Sequence, residues 1–134
     1  MKKVDISTFM YVIILVIIYF LGTSSCLSQE FITSNNFNDK IAKDITVVEF
    51  WAGWNESNQF NELNKLNDCN EYRNDIMSYM DIQTDYNVTA IHTVIIFDNG
   101  IEKTRFKPNI MFQLEADKKT IQNSIDTIKL NKFQ

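Results

Sequence analysis

Apolar positions fall along the chain in two different textures. From Phe9 to Leu21, "FMYVIILVIIYFL" runs without a charged residue, whereas beyond Gln29 the apolar residues come in short bursts of strand and helix-face length. "DITVVEFWAGW" is a near-continuous run of β-branched and aromatic residues, which predicts a strand covered on both faces. Before it, "FITSNNF" predicts a short extended piece and then a helix with Phe37 and Ile41 on one face and Thr33 or Ser34 as N-cap. After it, Phe60, Leu63 and Leu66 recur at three-residue spacing, which predicts one helical face. "EYRNDIM" predicts a further strand and "MSYMDIQTDYNV" a helix. In "TVIIFDNGIEKTRF" two strand-like runs flank Asp98-Asn99-Gly100, where Asn-Gly supplies the positive-φ residues of a tight hairpin turn. Pro108 ends that region, and Ile121, Ile125 and Ile128 mark the inner face of a closing helix whose N-cap is Asp117. The predicted order is β, α, β, α, β, α, β, β, α, with no internal repeat and no linker rich in Gly, Pro or Ser.

The N-terminal run reads as an address rather than as part of this fold. Lys2 and Lys3 precede it and small residues follow it, which is the order of an export signal. Extended to Leu27, it approaches the roughly 20 residues that cross a bilayer, so a retained anchor with the two lysines on the cytoplasmic side fits as well. "LGTSSC" also resembles the lipobox of bacterial lipoproteins: Ser24 and Ser25 suit the positions before Cys26, the candidate lipidation site, while Thr23 stands where that family prefers Leu, Val or Ile. Each version exports the remainder to the cell envelope or periplasm. Residues 1–26 are therefore read as a signal peptide, lipoprotein signal or anchor, and residues 29–134 as one domain.

Charge narrows the partners. Lys and Arg number 13 against 17 Asp and Glu, a net charge of −4, and no basic stripe follows a phosphate backbone, so nucleic acid is not an expected partner.

The order of elements and three sequence stretches together resemble the thioredoxin family, over roughly residues 31–128. "VVEFWAGW" resembles the family strand that ends in Phe-Trp-Ala-x-Trp. "YNVTAIHTVIIFDNG" resembles Tyr-Gly-Ile-x-x-Ile-Pro-Thr followed by an apolar strand and Asn-Gly, and "FITSNNFNDKI" fits the family's first strand and helix. The resemblance implies a thioredoxin-like α/β fold with a central mixed sheet and flanking helices.

The resemblance breaks where the family does its chemistry. Family members follow the second Trp with Cys-Gly-Pro-Cys at a helix start, where a low-pKa thiolate attacks disulfides and the second thiol resolves the mixed disulfide. Here Asn55 and Asn58 stand at the two cysteine positions with Glu56 and Ser57 between them, and an amide can neither ionise to a nucleophile nor form a disulfide. Asn55 is expected to serve as a helix N-cap, with Glu56 at the positive end of the helix dipole. His92 replaces the family's cis-proline. Since a non-proline cis bond costs about 3–4 kcal/mol, the Ala90 to Thr93 segment is expected to be trans and reshaped. Glu49 matches the family's buried acid, and with no thiol to serve it calls for a structural pairing or a half-exposed position. His92 is the only histidine, a poor metal set by itself, so neither a metal nor another cofactor is expected. Cys69, away from the family's catalytic pair, reads as a small buried hydrophobe or as a thiol able to form mixed disulfides.

These residues support an exported, membrane-associated, redox-inactive domain that binds a protein or peptide, as redox-silent modules of the protein disulfide isomerase group do. Its expected binding surface is Trp54, Asn55 to Asn58, and Ile91, His92 and Thr93. The competing expectation is a thiol-disulfide oxidoreductase in cell redox homeostasis, working through Cys69.

Overall fold

The computed structural model describes residues 29–133, so the expected export segment and Cys26 lie outside the described residues. The elements are α1 (Phe37–Ile41), β1 (Ile45–Trp51), 3-10 turns at Gly53–Asn58 and Leu63–Lys65, β2 (Asn70–Asp75), α2 (Met80–Asp85), β3 (Thr93–Asp98), β4 (Ile101–Phe106) and α3 (Lys118–Asn131). The strands form one mixed sheet in the order β2-β1-β3-β4. β1 and β2 run parallel with Trp51 opposite Asp75. β3 is antiparallel to β1, with Glu49 opposite Val94, and β4 is antiparallel to β3, with Val94 opposite Phe106. Phe31 adds a single parallel bridge to Arg73, the whole of the expected first strand.

The two-residue period of the central strands divides the core into two layers. Val48 and Phe50 of β1 and Ile95 and Phe97 of β3 face Phe37, Ile41 and Ile82 on one side of the sheet. Ile45, Val47, Val94 and Ile96 face Leu63, Leu66, Ile121 and Ile125 on the other. Both faces of β1 and β3 are thus covered, which explains their nearly unbroken apolar sequences. The turn between β3 and β4 has φ of 49° at Asn99 and 82° at Gly100, the left-handed pair that Asn-Gly favours. Asp117 caps α3 by accepting the Thr120 N–H at 2.8 Å.

Two local expectations are corrected. The first helix has Asn36 as its N-cap instead of Thr33 or Ser34. Asn36 Oδ1 turns back to accept the Thr33 N–H at 2.8 Å, which folds the preceding residues into a turn of their own. Phe60, Leu63 and Leu66 are all buried but do not share one helix. Phe60 donates its N–H to Glu49 Oε1 at 2.8 Å, so the buried carboxylate takes the N–H that a continuous helix ladder needs, while the Phe60 carbonyl accepts from Arg73 at 3.0 Å and, in a tight turn, from the Leu63 N–H at 3.3 Å.

Candidate functional site

The parallel ends of β1 and β4 and the start of β3 lie at one end of the sheet. Three connections therefore meet there: Ala52 to Gln59, Ala90 to His92, and Lys107 to Ala116.

Glu49 lies beneath them, fully buried. Its Oε2 accepts from Arg73 Nε at 2.7 Å, and its Oε1 accepts the Phe60 N–H and lies 2.9 Å from His92 Nδ1. The other imidazole nitrogen, Nε2, lies 2.9 Å from the Asn55 carbonyl. A carbonyl only accepts, so Nε2 carries a hydrogen and donates it. A second hydrogen then lies between Nδ1 and Oε1, since two lone pairs facing each other at that distance would repel. The buried set Arg73, Glu49 and His92 links β1, β2 and the turn before β3 to the backbone of the Trp54 loop.

The Ile91–His92 peptide is cis, contrary to the trans expectation. His92 is fixed at both ring nitrogens, and these two contacts define how the turn enters β3.

Asn55 does not cap a helix. The N-cap position belongs to Ala52, and Asn55 sits inside the 3-10 segment with φ −126° and ψ 35°. Its carbonyl serves His92 and its side-chain Oδ1 accepts from Asn58 Nδ2 at 3.0 Å, so the two amides at the expected cysteine positions bond each other. Glu56 and Ser57 are exposed between them. Ile91, His92 and Thr93 are buried, so their side chains hold the turn in place and do not form a contact surface.

Trp54 is 64% exposed. It stands edge-on to Phe112, with ring centroids 5.8 Å apart at 86°. Phe112 belongs to a turn closed by the pairing of Pro108 with Leu114, and at its tip Ile110 is 98% and Met111 65% exposed. Sequence reasoning missed these residues because only the return of β4 to this end brings them beside Trp54. The available signal was an uncharged apolar triplet, Ile110-Met111-Phe112, in a segment where a solvated loop is expected.

Cys69 lies at the far end of the sheet, just before β2. It borders a depression of about 360 Å³ lined also by Asp44, Asp68, Lys129 and Lys132. Burial, and then the negative charges of Glu71 and Asp68, push its thiol up to about 12. A thiol so placed is a weak source of thiolate at neutral pH. Among the described residues, no group of three His, Cys, Asp or Glu side chains is placed to hold a metal ion.

The thioredoxin of Mycoplasma genitalium is 31% identical over 70 residues, which cover 48% of this chain and 69% of that protein. The chain belongs to the thioredoxin family. No family model matches it. Among solved structures, a variant of the Halobacterium salinarum thioredoxin superposes with a TM-score of 0.60 at 16% identity, covering 79% of this chain and 95% of that one. The Malassezia sympodialis thioredoxin gives 0.59 at 20% identity, covering 75% and 90%. The thioredoxin fold is thus shared where little sequence is, and this thioredoxin-like chain differs from the family's motif in having no Cys-x-x-Cys.

Proposed function

We propose that this chain is an exported, membrane-associated member of the thioredoxin family that binds a protein or peptide at the Trp54 end of its sheet and exchanges no disulfides. The observation that supports this most directly is the Asn58 to Asn55 amide hydrogen bond at the mouth of the scaffold. Two carboxamides joined by a hydrogen bond offer neither a nucleophile nor a resolving group. Trp54 and Phe112 provide rigid apolar area of the kind that anchors protein contacts, and Glu56 and Ser57 add polar groups at the edge. The buried ionic set holds the loop that presents them.

Reduction of insulin disulfides by the purified chain, with dithiothreitol as electron source, is expected to stay at the rate of the reductant alone. Turnover that disappears in Cys69→Ser would instead assign an oxidoreductase working through that thiol. Cross-linking to envelope extract is expected to capture a protein whose yield falls in Trp54→Ala, and equal capture by both forms would remove the assigned surface. The N-terminal export reading is tested by the mass of the mature N-terminus, which distinguishes cleavage, lipidation of Cys26 and a retained anchor.

A further inference from the structure

We propose that His92 is a proton-operated latch on the Trp54 loop: with a hydrogen at each ring nitrogen it holds the loop by the Asn55 carbonyl, and loss of one hydrogen as pH rises releases it. The proposal rests on the binding face inferred above and names what regulates it.

The loop has little else to hold it. None of the residues Gly53–Asn58 is buried. Among the described residues, their other hydrogen bonds run within the Ala52 to Gln59 connection: the Asn55 N–H to the Ala52 carbonyl at 3.0 Å, Asn58 Nδ2 to Asn55 Oδ1 at 3.0 Å, and the Gln59 N–H to the Glu56 carbonyl at 3.1 Å. The bond from His92 Nε2 at 2.9 Å is the one that ties the loop to the sheet. It holds Asn55, the residue next to Trp54. Holding it has a cost, since Asn55 Nδ2 is buried without a partner, and release gives that group to water.

Counting hydrogens gives the direction of the switch. Two hydrogens serve the two contacts of the ring, one toward Asn55 and one toward Glu49 Oε1. When one leaves for solvent, a single hydrogen remains for both. The carboxylate is the stronger acceptor, because hydrogen bonds to an ionised oxygen are roughly twice as strong as neutral ones. The remaining hydrogen therefore stays on Nδ1, and the Nε2 lone pair then faces the Asn55 carbonyl oxygen and repels it. The loop is held at lower pH and let go at higher pH.

The charged surroundings of the ring are few. Glu49 meets it from β1, with Arg73 from β2 behind the carboxylate at 2.7 Å, and the following β3 residues Thr93 and Val94 carry no charge. Elsewhere at this end of the sheet Asp75 accepts from Ser78 at 2.7 Å, and Glu56, Lys107 and Glu115 are exposed. Written with the shared hydrogen on Nδ1, the latched set is two cations about one carboxylate. Giving up a proton leaves the Arg73 and Glu49 ion pair beside a neutral ring.

The test uses the full chain in detergent micelles, labelled with 15N in histidine, and His92 is its only histidine. Ring nitrogen shifts distinguish a protonated from a bare nitrogen, and Trp54 emission, assigned with Trp54→Phe, follows the loop. As pH rises across the range in which circular dichroism shows the chain folded, Nε2 is expected to lose its hydrogen while Nδ1 keeps one. Trp54 emission is expected to shift with the same midpoint, and the shift is expected to vanish in His92→Gln. Retention of both hydrogens throughout the folded range overturns the latch. So does loss from Nδ1 in place of Nε2, loss from Nε2 with Trp54 emission unmoved, or an emission shift that survives in His92→Gln. These spectra need no partner, so cross-linking that captures no protein at any pH removes the binding reading alone.

Discussion

Removing the Glu49 carboxylate strands three donors at once: Arg73 Nε, the Phe60 N–H and the hydrogen shared with His92. A single Glu49→Leu change is therefore expected to cost about 3–5 kcal/mol, because it leaves a buried cation unpaired, and urea unfolding measures it. Sequence alone marked Glu49 as an acid in an apolar strand. Its partners were not legible, since Arg73 and His92 lie far along the chain and only the sheet register brings them to it. For Cys69 the burial that raises the thiol gives a definite pH dependence. In the folded chain the thiol titrates near 12, above its ordinary 9.0, so the folded form holds its proton more tightly. That contribution to stability is fully present below pH 9.0 and is lost as pH rises toward 12. Cys69→Ala is expected to flatten this part of the alkaline unfolding curve, and iodoacetamide is expected to modify the wild-type thiol slowly at neutral pH.

Hairpins and helices with strong local signals were legible, and those shaped by a distant side chain were not. The turn from β3 to β4 could be read from Asn99-Gly100 because its backbone conformation belongs to those two residues. A Cβ at Gly100 meets only the Ala42 Cα at 3.8 Å, so Gly100→Ala tests conformation without a clash. With φ at 82°, it is expected to cost about 1–2 kcal/mol, read as a lower thermal midpoint. α3 was equally legible from Asp117 and its isoleucines, and Ile125→Ala in its buried face is expected to cost about 2–5 kcal/mol in chemical unfolding. Its cap is also acid-sensitive. Hydrogen bonds from Thr120 hold the Asp117 carboxyl below its ordinary 3.8, so the cap's contribution is present above that value and fades as pH falls through the depressed one. The segment from Asn55 to Leu66 misleads by periodicity: three-residue apolar spacing fits a helix face, but it fits two short turns equally well once Glu49 takes the Phe60 N–H.

For the molecule as a whole, the arrangement of layers was legible because covered strands carry their apolar character on both faces, while the end of the sheet that carries the candidate site was only half legible. Trp54 and the two asparagines were marked by position. The Phe112 turn was not, because nothing local connects residues 54 and 112. At the opposite edge, residues 30–32 run alongside β2, where Arg73 donates to the Glu30 carbonyl at 3.0 Å and Ile32 donates to the Arg73 carbonyl at 2.7 Å. Because this lacing is parallel to the strand, tension drawn lengthwise through Gln29 pulls on both bonds together instead of opening them in turn. The seam is thus a mechanical fastener in shear. In an optical trap it should hold to a higher force when pulled from residue 29 along the strand than when the same seam is peeled crosswise.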